Sequence, residues 1–175
     1  MSAIPPMIEL LSQTPDDTRA IAAGIAQLSR PGDLLVLAGQ MGAGKTAFAQ
    51  GFARRLGVVE PVTSPTYTLV HTYAAGSTTL HHVDLYRLEH TTEVDDLALA
   101  ELLEDNAIVL VEWGDVVDLG PHLRVDLQFI ELADVDTGDA DHSFDRRQIS
   151  ITSNDARWLP RWERLEAAVD QWNTP

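Results

Sequence analysis

The sequence predicts an α/β fold: a mostly parallel central sheet with additional antiparallel strands, held between helices as a three-layer sandwich. Three observations carry this expectation. Gly32 to Leu56, GDLLVLAGQMGAGKTAFAQGFARRL, reads as an apolar strand, a glycine-rich turn and a helix. Two further apolar runs, Thr79 to Leu85 and Ala107 to Val111, close on the acids Asp84 and Glu112. With 45% hydrophobic content over 175 residues, the chain can cover a sheet on both faces, and residues 1–175 are expected to form one domain.

The glycine-rich turn carries the chemistry. Gly39, Gly44, Lys45 and Thr46 satisfy G-x-x-x-x-G-K-[ST], and the flanking strand and helix are the context that pattern needs. Glycines let successive backbone N–H groups curl around an anion, and a helix beginning at Lys45 adds its positive dipole end. Lys45 is placed to reach terminal phosphates as a point charge, and the Thr46 hydroxyl to ligate Mg²⁺. Lys45 is the only lysine in the chain, against eleven arginines. The sandwich is therefore expected to be of the P-loop NTPase type, with Gly39, Gln40, Met41, Gly42, Ala43, Gly44, Lys45 and Thr46 around the phosphates. Ala47, Phe48, Phe52 and Leu56 give the following helix an apolar face to anchor the loop.

Charge and composition exclude other classes. A formal net charge of −15 opposes direct binding to nucleic acid or an anionic membrane, because both need a basic face to displace counterions. With no cysteine, disulfides and thiolate chemistry are unavailable. No apolar run approaches the roughly 18 residues of a membrane span, and MSAIPPMIEL lacks a basic region ahead of an apolar one, so a cytoplasmic location is expected.

Taken in order, Met7 to Leu11 is an apolar run suited to an edge strand. Thr14-Pro15-Asp16-Asp17 reads as a helix start, with a capping threonine, proline in the first turn and acids beside the positive end. Ile21, Ile25 and Leu28 share one face of that helix, which ends near Arg30-Pro31-Gly32. Gly57 ends the phosphate-loop helix. Ser64-Pro65-Thr66 has the composition of an ordinary turn, yet a hydroxyl-bearing loop after the first helix of a phosphate-loop protein can also sense a γ-phosphate and its metal, which makes Thr66 a switch candidate. A strand is expected from Thr68 to Tyr73, a hairpin turn at Ala75-Gly76, and a strand from Thr79 to Leu85. Asp84 at its carboxyl end is placed to face the phosphates. His81 and His82 point to opposite sides of that strand, which argues against a shared metal site and for structural roles.

Thr92 to Glu104 is expected to be an acidic helix. Ala107 to Val111 followed by Glu112-Trp113-Gly114 has the pattern of a Walker B strand, whose carboxylate holds Mg²⁺ directly or through water. Past Gly120-Pro121, strands are expected from Leu123 to Leu132 and from Arg147 to Thr152. In the aspartate-rich segment between them Gly138 falls fifth and Asp139 sixth where a calcium loop needs an Asp or Asn and then glycine, and Asp145 ends it where a glutamate is needed, so a solvated turn is expected. Trp158, Trp162, Leu165, Val169 and Trp172, spaced by three and four, form the aromatic stripe of a last helix that packs on the sheet.

GQMGAGKT, SPTYTLVHTY, HHVDLYRL and VEWGD, in this order and spacing, resemble the TsaE family, the small ATPase of bacterial tRNA threonylcarbamoyladenosine synthesis. The resemblance covers about Thr14 to Asp115. It implies an ATPase, slow alone, that uses ATP and Mg²⁺ and acts with the tRNA threonylcarbamoyl-transferase catalytic subunit and that subunit's inactive paralogue in N6-threonylcarbamoyladenosine modification of ANN-decoding tRNAs. The tRNA would be met only indirectly, and neither DNA nor membrane is implied. Carried onto this chain, Lys45 and Thr46 bind phosphate and Mg²⁺, Glu112 is a metal carboxylate, Asp84 and Thr66 are the hydrolysis and switch residues, and Trp113 adjoins the nucleotide. The base would lie near Thr14 to Thr18 and an arginine, Arg146 or Arg147. This chain departs from the family at Gln40, where an acid is common. Either Asp84 or Glu112 orients the attacking water, and the motifs leave open which.

Three other classes compete. A GTPase would need an N-K-x-D segment, which a chain with its single lysine at position 45 does not contain. A small-molecule kinase would need an arginine-rich lid, for which Arg146-Arg147 is the candidate pair. A non-catalytic ATP-binding regulatory scaffold would bind without turnover. Arg87 is available to a phosphate or to a partner.

Overall fold

The computed structural model describes residues 7–88, 98–104, 106–130 and 146–174. In chain order the strands are β1 (Ile8–Ser12), β2 (Leu34–Ala38), β3 (Val70–Ala75), β4 (Thr78–Asp84), β5 (Ala107–Glu112), β6 (Leu123–Phe129) and β7 (Arg147–Ser153). They form one sheet in the order β1-β7-β6-β2-β5-β4-β3. The centre, β6-β2-β5-β4, is parallel, while β3 joins β4 and β7 joins both β6 and β1 in antiparallel pairs. This is the mostly parallel sheet with antiparallel additions that the apolar runs predict. The β2 and β5 strands are buried along their whole length, as parallel strands covered on both faces must be.

The helices are α1 (Pro15–Leu28), α2 (Lys45–Leu56), the single turn α3 (Leu99–Leu102) and α4 (Trp162–Val169). Alternation along each strand divides the core in two. Leu35, Leu37, Leu80, Ile108 and Leu110 face Ile21 and Ile25 of α1, Phe48 and Phe52 of α2, and Leu165 of α4. On the other face, Leu34, Val83, Val109 and Val111 meet Leu99 and Leu102 of α3 and Leu119.

The start of α1 forms as expected. The Thr14 hydroxyl accepts from the Asp17 amide at 3.1 Å, and the Asp17 carboxylate accepts from the Thr14 amide at 3.2 Å, a reciprocal capping box with Pro15 inside the first turn. Helices α1 and α2 approach closely at Gly51, where a side chain would overlap the Arg19 backbone. The end of the chain is clamped to the α1–β2 connection by a buried ion pair. Arg161 donates to both oxygens of Asp33, at 2.6 and 3.0 Å, and to the Leu28 carbonyl at 2.9 Å, with its guanidinium 4.0 Å from the Trp158 ring.

Some boundaries differ from expectation. The strand expected from Thr68 starts at Val70, because Thr68 and Leu69 close a turn onto the Pro65 carbonyl and Leu69 adopts φ 65°. Of the helix expected from Thr92 to Glu104, the described residues show the single turn Leu99–Leu102, entered from Ala98 at a left-handed φ of 47°; positions 92–97 lie outside the described residues. The β6 strand ends at Phe129, and the last expected position, Leu132, lies outside the described residues with the aspartate-rich segment. The last helix is shorter than the stripe suggested. A 3₁₀ segment, Ala156–Arg161, precedes α4, and another, Asp170–Trp172, follows it. Pro160, which lacks an N–H, sits inside the first of these. The stripe itself packs inward: Trp158, Trp162, Leu165 and Val169 are all buried.

Candidate active site

The site lies where β2, β4 and β5 end and α2 begins. After β2 the chain turns through Gly39 to Gly44. A side chain at Gly39 would overlap the Leu127 carbonyl, and Gly44 enters α2 at φ 107°, a conformation that disfavours Cβ. The first turn of α2 holds no acid, so its free N–H groups and dipole end are open to an anion.

Lys45 begins that helix and is 6% exposed. Its ammonium donates to the carbonyls of Gly39 at 2.6 Å and Gln40 at 2.9 Å, and stands 4.0 Å from the Trp113 ring centre. Burial lowers the Lys45 pKa, against the opposing pull of Glu112, Asp84 and Asp115. Trp113 is brought there by a left-handed backbone, φ 62°, anchored by its amide on the Leu37 carbonyl. Such strain in a non-glycine residue is tolerated where the surroundings enforce it.

The two acids are register partners on adjacent strands, Asp84 opposite Glu112, and both are nearly fully buried. One Asp84 oxygen accepts from the Ser64 and Thr66 hydroxyls, each at 2.9 Å, and the other from the Tyr86 amide at 2.8 Å. The Ser64 and Thr66 hydroxyls are themselves 2.8 Å apart. Glu112 Oε1 lies 2.8 Å from Nε2 of His82, whose side chain is completely buried.

A cleft of about 280 Å³ gathers most of the residues named from sequence: Met41, Gly42, Gly44, Lys45, Thr46, Thr66, Asp84, Glu112 and Trp113. Gly39 and Gln40 do not line it; their carbonyls hold Lys45, and the Gln40 side chain is exposed. Ala43 is also outside, buried, with its carbonyl receiving Arg147 Nε at 3.0 Å. Arg147 further donates to the Gly42 carbonyl at 3.3 Å and stacks 4.2 Å from the Phe129 ring, so it braces the loop from outside. From the α1 start, Thr18 comes alongside Gly44. Arg87 instead lies over Tyr67, 4.2 Å from the ring.

Three residues of the site were given no individual role by the sequence, Ser64 being read only as part of its hydroxyl-bearing loop. Ser64 shares the Asp84 oxygen with Thr66, Tyr86 supplies its amide and packs its ring 5.0 Å from Trp113, and His82 holds Glu112. His82 had a signal. Two residues before Asp84, it must share that residue's face of β4. His81 points the other way, 2.9 Å from the Thr72 hydroxyl, as the alternation requires.

Among the described residues no group of three or more histidines and carboxylates could enclose a metal by itself. The donor set of Thr46 and Glu112 suits a different kind of ion, a hard cation held by one or two protein oxygens and completed by substrate phosphates, as Mg²⁺ is.

The family model described as "Threonylcarbamoyl adenosine biosynthesis protein TsaE" matches residues 12–139. The chain belongs to the TsaE family. Its relatives include proteins named tRNA threonylcarbamoyladenosine biosynthesis protein TsaE. The Bacillus subtilis protein is 43% identical over 104 residues, a match covering 59% of this chain and 65% of the relative, just under two-thirds of its length. The Treponema pallidum protein is 35% identical over 71% of this chain and 92% of its own. That of Streptomyces coelicolor is 39% identical over 80% and 93%. The crystal structure of YdiB from Bacillus subtilis shares the fold, with a TM-score of 0.76 at 28% identity over 95% of this chain and 98% of that one. The TsaE resemblance of the four motifs thus extends over residues 12–139, and the P-loop NTPase-type sandwich goes with it. Among the described residues of this TsaE-family chain, no helix is long and apolar enough to cross a membrane.

Proposed function

We propose that this TsaE-family chain is an ATPase that serves tRNA threonylcarbamoyladenosine biosynthesis, the process its relatives are named for, and that it does so with the threonylcarbamoyl-transferase catalytic subunit and its inactive paralogue. One observation supports this most: a buried ammonium, at the start of a helix and inside a glycine-built loop, faces two buried carboxylates on adjacent strand ends. Phosphoryl transfer to water needs charge neutralisation and an aligned nucleophile more than covalent chemistry, and these are the parts present.

In this reading Lys45 exchanges its carbonyl partners for phosphate oxygens, and the loop amides with the α2 N-terminus bind the rest of the anionic tail. Thr46 and Glu112 would hold Mg²⁺, which when bound neutralises charge on the transferred phosphoryl group. Asp84 orients the water by trading one of its two hydroxyl donors for it, so that the Ser64–Thr66 turn registers the state of the site. Trp113 and Tyr86 wall the cleft at its mouth. The formal charge of −15 leaves the tRNA to a partner.

The test is phosphate release from ATP, with no other acceptor, in the presence and absence of the purified transferase pair. Strong stimulation by the pair is expected, with Lys45→Ala losing nucleotide binding in equilibrium dialysis. Turnover unmoved by the pair would remove the partnership, and ATP binding without any turnover would leave a non-catalytic nucleotide scaffold.

A further inference from the structure

We infer that His82 is a positioning residue: it aims the Glu112 carboxylate into the cleft by donating to it from Nε2. The inference rests on the ATPase reading for its kinetic consequence, and on geometry alone for the rest.

His82 lies on β4 between Leu80 and Asp84 on the face turned toward α2, in register with Leu110 of β5. Its side chain is fully enclosed and that of Glu112 almost so. The two meet from Nε2 to Oε1 at 2.8 Å, and among the described residues the buried Nδ1 has no hydrogen-bond partner. A carboxylate accepts and does not donate, so the shared proton belongs to Nε2. The alternative tautomer would set two lone pairs against each other across the contact and bury an N–H without an acceptor.

A half-satisfied imidazole is a poor choice for packing alone. Its neighbours on this face, Leu80 and Leu110, are wholly buried, and a leucine would fill such a site without an orphaned polar atom. What the ring supplies that leucine cannot is a donor at a defined distance beyond Cβ. Glu112 has three side-chain torsions, and removing that donor leaves its oxygen free to leave the position it shares with Lys45, Thr46 and Asp84. Outer hydrogen-bond partners of metal-holding carboxylates act in this way, and losing one commonly costs about 10–100-fold in metal affinity or activity.

Three substitutions separate positioning from packing. The amide nitrogen of glutamine can reach the place of Nε2, that of asparagine stops near the place of Nδ1, and leucine offers no donor. With the partner-stimulated enzyme, H82N and H82L should lose about 10–100-fold in kcat, while H82Q recovers most of it. ATP affinity in the absence of divalent metal, which depends on Lys45 and the loop, should stay at the wild-type value in all three. Affinity for Mn²⁺ with ATP bound, read by electron paramagnetic resonance, should follow the same order as kcat. Nitrogen NMR of labelled imidazole in the unmodified chain should show the proton on Nε2. Wild-type Mn²⁺ affinity in H82L, equal losses in H82Q and H82N, or an unprotonated Nε2 would overturn the inference. A chain without turnover even alongside the transferase pair would defeat the ATPase reading instead, and the metal-affinity and NMR measurements would still decide the role of His82.

Discussion

Replacing Asp84 distinguishes a carboxylate that organises its surroundings from one that acts on water. Its two oxygens take three donors, the hydroxyls of Ser64 and Thr66 and the amide of Tyr86. Hydrogen bonds to a charged group are each worth about 1.5–3 kcal/mol net. D84A does not lose all three in full, because the two hydroxyls, 2.8 Å apart, can bond each other and Tyr86, 48% exposed, lies within reach of water. A destabilisation of about 2–3 kcal/mol is therefore expected, or about 5–10 °C in Tm for a chain of this size. D84N should cost much less, about 1 kcal/mol, since its carbonyl can keep the Tyr86 amide while a hydroxyl turns to accept from its NH₂. Turnover should not follow stability. Both variants should lose about 10²–10⁴-fold in partner-stimulated ATP hydrolysis, the range of a positioned proton acceptor, while D84N retains nucleotide affinity in equilibrium dialysis. A D84N chain that hydrolyses ATP at the wild-type rate would refute the assignment. One that loses affinity as steeply as turnover would move Asp84 to ground-state binding.

Three further perturbations probe the frame around the site. G51A should destabilise by about 1–3 kcal/mol in urea denaturation despite alanine's better helix propensity, because the new methyl meets the Arg19 backbone; a gain in stability would show that α1 and α2 are not in such close contact. D33A should cost about 3–5 kcal/mol by leaving the Arg161 guanidinium buried without its anion, and the double change D33L/R161M should recover much of that loss; equal stability of D33A and wild type would refute the clamp. Burial pushes the Asp155 carboxyl up, but hydrogen bonds from the Arg157 side chain and backbone, with the charges of Arg157 and Arg161, hold it below its ordinary 3.8. That contribution is complete above pH 3.8 and disappears as pH falls through the depressed value, so the stability gap between wild type and D155N should narrow in denaturation series taken below pH 3.8, and a gap independent of pH would contradict it.

The parts of the site that sequence made legible are those whose chemistry demands a local spacing. An anion cradle needs glycines, a lysine and a hydroxyl at set intervals on one strand–turn–helix unit, so Gly39 to Thr46 could be read directly, and the strand ends carrying Asp84 and Glu112 followed from apolar runs closed by acids. What stayed hidden depends on which strands become neighbours. His82 meets Glu112 across 30 positions of sequence, and Arg147 reaches the Ala43 carbonyl across 104. Periodicity within β4 puts His82 and Asp84 on one face, yet it does not say that β5 lies alongside in the register that opposes Asp84 to Glu112. The start of α3 after Ala98 and the late start of β3 stayed hidden for a related reason, since both follow left-handed residues, Ala98 and Leu69, whose side chains carry no local signal for that conformation.

That register also explains why the chemistry of the cleft and the packing of the core are not separable here. On β4 the residues turned toward α2 are Leu80, His82 and Asp84; on β5 they are Ile108, Leu110 and Glu112. Each strand thus carries its acid on the face of its apolar anchors, four residues from Leu80 on β4 and two and four residues from Leu110 and Ile108 on β5. The anchors belong to the same core as Phe48 and Phe52 of α2, the helix that begins with Lys45. A slip of one residue between β4 and β5 would break the pairing of the acids, and a slip of either strand against the core would turn its acid to the opposite face together with its leucines. The apolar contacts that hold α2 on the sheet therefore also hold the distance between the ammonium and the two carboxylates, and a cavity made beneath Phe48 should loosen the site before it unfolds the chain.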